Sequence, residues 1–85
     1  MESLAPPVSP QMAAAARVPA PTLEAGRRLY TGRCAACHAI DPVTKYTATR
    51  WPGIIDDMAE RAKLTPVERQ SLQAYVLAAR IAQPL

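Results

Sequence analysis

Residues 34–38 read "CAACH": two cysteines separated by two alanines, with the chain's single histidine directly behind the second. The remaining residues supply no third thiol and no second imidazole. Whatever these three side chains hold must therefore be completed by other kinds of ligand, and the chain on either side of the motif has to be read for what it brings.

Cys-x-x-Cys-His is the attachment signature of a c-type haem. The spacing has a chemical reason. Thiols this close together can each add to one of the porphyrin's two vinyl groups, while the next residue turns an imidazole to the iron. Small Ala35 and Ala36 let the porphyrin edge lie against the backbone. Three other uses of the motif weigh less. A structural zinc site takes four ligands, commonly from paired Cys or His clusters, and here Asp41 or water would have to complete it. A thioredoxin-like redox pair follows a strand in an α/β fold, and no alternating strand pattern is present. A disulfide between Cys34 and Cys37 closes a tiny loop and constrains little. The expected cofactor is one covalently attached haem c, with Cys34 and Cys37 as thioether anchors and His38 as the proximal iron ligand.

The iron has a second axial position, and with no second histidine in the sequence, bis-histidine ligation within one chain is excluded. Methionine serves electron carriers there because its thioether raises the reduction potential. The candidates are Met1, Met12 and Met58. Met1 and Met12 lie at the terminus and in a proline-rich tail, where a ligand would require ordering a flexible segment. Met58 lies in the stripe Trp51, Ile54, Ile55, Met58, Ala59 and Ala62, spaced at helical steps of three and four. A methionine so placed is ordinarily core filling; with a haem face to cover, it is the expected distal ligand. Tyr46, Trp51 and Arg50, with Lys45 beside them, are expected to line the haem or pair with its propionates. Core packing for Trp51 and solvent exposure for the cations are the competing readings.

Upstream of the motif, a helix is expected from Thr22 through "LEAGRRLYTGRC", with Leu23, Gly26, Leu29 and Tyr30 on its inner side. Gly26 costs such a helix about 1 kcal/mol relative to alanine, so its presence implies that another backbone passes very close. Downstream, "AIDPVTKYTAT" reads as a loop opened by Asp-Pro. The second helix runs from about Thr49 or Trp51 to Ala62, with Pro52 tolerated in the first turn. The last helix opens on "TPVE", in which Thr65 and Glu68 form a capping box, and it turns Leu72, Tyr75, Val76 and Ala79 inward. Three amphipathic helices and no strand pattern give an all-α fold. Residues 1–21, with five prolines around Ala13 to Ala16, read as a tail or tether with at most a brief helical turn. The expected haem domain is residues 22–85.

Composition narrows the function class. A formal charge of +3 with no run of five like charges argues against nucleic-acid binding. Arg27, Arg28, Arg33, Lys45 and Arg50 gather around the motif against Asp41 alone, a collar able to steer an acidic partner; a solvated surface that keeps the protein soluble is the competing reading. No stretch approaches the roughly 18 to 20 apolar residues of a membrane span. Glu2 and the early prolines do not suit a secretory signal, so the chain is either not exported or given in trimmed form, and the motif favours the second.

With these residues in place, the chain resembles a small class I cytochrome c over roughly residues 22–83. "GRRLYTGRCAACH" is similar to that family's N-terminal helix and motif, and "LTPVERQSLQAYVLAAR" to its C-terminal helix. The resemblance implies that these two helices cross at a glycine and an aromatic, giving Gly26, Tyr30 and Tyr75 their roles. The connection from His38 to Met58 is shorter than the family's usual one, which implies a more exposed haem. "W...I..M" is similar to compact bacterial monohaem domains whose methionine comes from a helix, and Pro42 falls very near the motif for the family's usual proline carbonyl. The implied function is one-electron transfer between redox proteins, with no enzymatic activity of its own, an acidic docking surface on the partner, and a periplasmic or equivalent exported location. Two other functions stay open. One is a haem domain or subunit of a dehydrogenase or reductase, tethered by the tail; the other is a ligand-binding haem sensor or peroxidase-like protein with an open distal site.

Overall fold

Gly26 sets the distance of closest approach between two helices, and the rest of the chain is arranged around that crossing. The computed structural model describes residues 5–32 and 42–82. It contains α1 (Pro10–Ala16), α2 (Ala20–Thr31), a 3-10 turn (Val43–Lys45), α3 (Trp51–Ala62) and α4 (Pro66–Ala82). No strand occurs among the described residues, so the all-α expectation holds, with four α-helices in place of three.

A Cβ at Gly26 would collide with the Ser71 carbonyl oxygen and stand 2.6 Å from the Tyr75 Cβ. The close backbone approach inferred from the sequence is therefore the α2–α4 crossing. Leu23 and Tyr30 of α2 are buried against Leu72, Tyr75, Val76 and Ala79 of α4. α4 also packs on α1, α3 and the 3-10 turn, so it is the shared wall of the core. A radius of gyration of 11.5 Å is that of a compact domain, for which about 12 Å is usual at this length.

Local chemistry sets the ends of these helices. The Thr65 amide donates to Glu68 Oε1 at 2.9 Å and the Glu68 amide to Thr65 Oγ1 at 3.1 Å, the reciprocal capping box that starts α4. At the start of α3, Pro52 stands where no amide is needed, and the Thr47 carbonyl accepts from Arg50 and Trp51. α3 ends at Lys63, held in the left-handed region at φ 56°. α2 starts at Ala20 rather than Thr22; Pro19 takes the cap position, its carbonyl accepting from the Thr22 and Leu23 amides. The prolines at 19 and 21 start the helix earlier than a hydroxyl cap at Thr22 suggested.

The proline-rich stretch departs from its expected character. Its described part is packed, not a free tail: Ala5, Pro6 and Met12 are buried. Ser9 caps α1 by accepting from the Met12 amide at 3.0 Å. The Tyr75 hydroxyl donates to the Pro6 carbonyl at 2.6 Å, and Arg27 Nε donates to the Ala5 and Pro6 carbonyls at 3.1 and 3.3 Å. Proline-fixed extended backbone leaves its carbonyls without regular partners, and here side chains of α2 and α4 supply the donors. Arg27, expected in the solvent-facing collar, is half-buried under this strap.

Candidate functional site

Cys34, Cys37 and His38 lie outside the described residues, as do Arg33 of the expected collar and Asp41. The site is therefore built from what flanks them: α2 before the motif, and the 3-10 turn and α3 after it.

Val43, in a stretch read as loop, is fully buried, and its carbonyl accepts a hydrogen bond from Trp51 Nε1 at 2.8 Å. That bond fastens the segment following the motif to the start of α3. Trp51 is 1% exposed. Tyr46 meets it edge-on, with ring centroids 5.1 Å apart at 85°, and Tyr30 meets it at 6.1 Å and 78°. Both geometries are the edge-to-face arrangement that aromatic quadrupoles favour. Over the Tyr46 ring stand Lys45 Nζ at 5.5 Å and Arg50 Cζ at 5.7 Å, within cation–π range. Arg80 of α4 donates from Nε to the Tyr46 carbonyl at 2.8 Å.

Thus Tyr46, Arg50 and Trp51 come together at the N-terminal end of α3. Met58 is seven residues further along the same apolar stripe, about 10 Å at 1.5 Å per residue. It is half-buried and packed against the core together with Ile54. Asp56 and Asp57 point outward, where they pair with Arg69 and Arg61; both pairs are exposed and contribute little. Sequence reasoning missed Val43 and Arg80. Val43 had one signal, a lone apolar residue after Asp-Pro; Arg80 had none, because its partner is a backbone carbonyl distant in sequence.

The donor set fits a covalent haem: two thiols at vinyl spacing, one imidazole, and a thioether on the inward stripe of the next helix. The Trp51 indole N–H is already committed to Val43, and the cations beside it at this end are Lys45 and Arg50, over the Tyr46 ring. On the far side of the core, burial pushes the Tyr75 phenol up to about 12, with Arg27 offsetting part of the effect.

No model of a known protein family matches the chain, and no solved structure does. Over 51 residues, 60% of this chain, the sequence is 31% identical to "Cytochrome c-type protein TorY" of Haemophilus influenzae. The matched part spans only 14% of that relative's length. Taken with the all-helical frame, this likeness supports reading the chain as a c-type cytochrome.

Proposed function

We propose that the chain carries one haem c, ligated by His38 and Met58, and transfers single electrons between redox partner proteins. The observation that carries this reading is CAACH followed by an inward-facing methionine on the next helix. The likeness to a c-type cytochrome supports the covalent haem. When bound, the haem supplies a one-electron iron couple.

The protein's own residues do the rest. Cys34 and Cys37 make the attachment irreversible, so the group is not lost from a small core. As an iron ligand, His38 would need an acceptor for its second ring proton to fix the tautomer. With the haem bound, Met58 would supply a thioether ligand that needs no proton and that, while in place, would keep exogenous ligands off the iron, so the reading gives the protein no enzymatic activity of its own. Tyr46 and Trp51 would line the haem edge, and Arg50 would pair with a propionate. The exposed Arg28 and Arg50 with Lys45 form the docking collar for an acidic partner, in a brief encounter burying under about 1,200 Å². Haem c is normally attached outside the cytoplasmic membrane, so the location proposed is the periplasm or an equivalent exported space. No helix among the described residues is long and apolar enough to cross a membrane.

The test is an absorbance spectrum and a mass of the native protein beside Met58→Ala. Expected are haem bands, a mass above that of the polypeptide, and a sulfur-to-iron charge-transfer band lost only in the variant. An unchanged spectrum in Met58→Ala moves the axial ligand elsewhere; a colourless protein of polypeptide mass removes the reading altogether. A second reading is favoured by the small share of its relative that this chain matches: a haem domain or subunit of a larger redox protein. Co-purification with a catalytic partner would select it. An open-site sensor would instead show a fast spectral change with carbon monoxide.

A further inference from the structure

The chain has one tryptophan, three tyrosines and no phenylalanine, so every aromatic ring it owns can be oxidised by one electron. All four lie in one unbroken series. Tyr46 and Trp51 are 5.1 Å apart, Trp51 and Tyr30 6.1 Å, and Tyr30 and Tyr75 6.3 Å, centroid to centroid. A small core packed for burial alone has no need of this restriction, since phenylalanine fills space without a polar atom to satisfy.

The two ends of the series differ in what they can do with a proton. A tyrosine that loses an electron must also release its phenolic proton. Tyr75 is fully buried and donates to the Pro6 carbonyl, which cannot take a proton. Its phenol is held neutral by burial, so this end is closed. Trp51 donates its indole N–H to the Val43 carbonyl, likewise no base. An indole can lose an electron and keep that proton, which suits a transient stop. Tyr46 is half-buried where the other three are fully buried, so it is the ring of the series nearest to water as a proton acceptor. Lys45 and Arg50 over its ring favour approach by an anionic reductant.

The geometry points to a protective relay: oxidising equivalents reaching Trp51 are drained to Tyr46 and discharged there to a small anionic one-electron reductant of the ascorbate class. The inference rests on the haem reading for its source. Trp51 lies about 10 Å along α3 from the proposed ligand Met58. The oxidant is hydrogen peroxide, able to reach the iron only while the thioether is off, so the flux is small. Each peroxide takes up two electrons and two protons and leaves as two waters. Each electron and proton comes from one Tyr46 phenol, which becomes a neutral phenoxyl. The reductant then returns the electron and water the proton.

The experiment uses the full-length protein, Tyr46→Phe, Tyr30→Phe and Trp51→Phe, with helical content checked by circular dichroism. Peroxide is added, the samples are freeze-quenched for electron paramagnetic resonance, and spin-trapped residues are mapped by mass spectrometry. Expected are adducts on Tyr46, most of the phenoxyl signal lost in Tyr46→Phe with faster haem bleaching, and slower Tyr46 oxidation in Trp51→Phe. Tyr30→Phe should change neither. Adducts mainly on Tyr30 or Tyr75, an undiminished signal in Tyr46→Phe, or unchanged kinetics in Trp51→Phe overturn the relay. The starting spectrum reports on the haem separately. If haem is absent, flash photo-ionisation of Trp51 with a dissolved electron acceptor asks the same question. Decay of the indolyl signal into a Tyr46-dependent phenoxyl supports the relay, and decay unaffected by Tyr46→Phe refutes it.

Discussion

Gly26 is the residue at which a single methyl group has the largest structural consequence. Its missing Cβ is where the Ser71 carbonyl of α4 sits, and a main-chain carbonyl inside a helix cannot rotate away. Gly26→Ala gains about 1 kcal/mol of helix propensity but overpacks the crossing, a change that typically costs 1–3 kcal/mol, occasionally more, as roughly indicated by core insertions. With backbone as the obstacle the upper end applies. The expected result is a net loss on the order of 2 kcal/mol in urea unfolding; a neutral or stabilised variant would show that the helices do not cross there. Lys63 presents the opposite case. Its backbone is left-handed at φ 56°, and it ends α3 in the position where glycine is at ease. Left-handed backbone costs an L-residue roughly 1–2 kcal/mol, partly offset by glycine's greater unfolded-state entropy. Lys63→Gly is therefore expected to raise stability by up to about 1 kcal/mol, read from the unfolding midpoint.

At the scale of the element, the strap of residues 5–9 leading into α1 depends on two donors from other helices, the Tyr75 phenol and the Arg27 guanidinium. The phenol must stay neutral to donate, and its folded value of about 12 lies above the ordinary 10.0. Below pH 10 both folded and unfolded chains keep the proton and the contribution is complete. As pH rises from 10 towards 12, the unfolded chain gives up its proton first, so folding stability falls across that window. Two pH units correspond to on the order of 2 to 3 kcal/mol. Urea unfolding of the native protein should weaken steeply over this range, and Tyr75→Phe should flatten the profile. Parallel profiles for the two proteins would mean that the phenol does not govern the alkaline loss. α1 itself, at seven residues, is too short to persist alone; Met12 under its face and the strap before it hold it in place.

For the whole molecule, the net charge of +3 and the cations at the start of α3 bear on the proposed encounter with an acidic redox partner. Attraction between an exposed basic collar and an acidic surface is screened over about 10 Å at 0.1 M salt. The electron-transfer rate with an acidic redox partner should fall as ionic strength rises; a flat dependence would remove the collar from docking. Arg27 does not belong to that collar, since the strap covers it. The relative arrangement of strap, α4 and the aromatic series follows from one architectural fact: α4 is long enough, at 17 residues, to touch every other helix.

Much of this protein could be read from short windows of sequence, because the physics involved is itself local. The two thiols and the imidazole proposed to hold a haem lie within five residues. The Thr65–Glu68 cap closes over one helical turn, and the α3 stripe follows from 3.6-residue periodicity. Gly26 announced a close neighbour by being a costly choice in a helix, although the sequence alone did not identify Ser71 as that neighbour. What only tertiary structure decided involves donors and acceptors far apart in the chain. Pro6 and Tyr75 are 69 positions apart, and Tyr46 and Arg80 are 34 apart. Composition showed the prolines but not the side chains waiting for their carbonyls, so a packed strap looked like a tail. The joining of all four aromatic rings likewise depends on how α2, α3 and α4 meet, because a ring's neighbours are set by packing in space and not by its place along the chain.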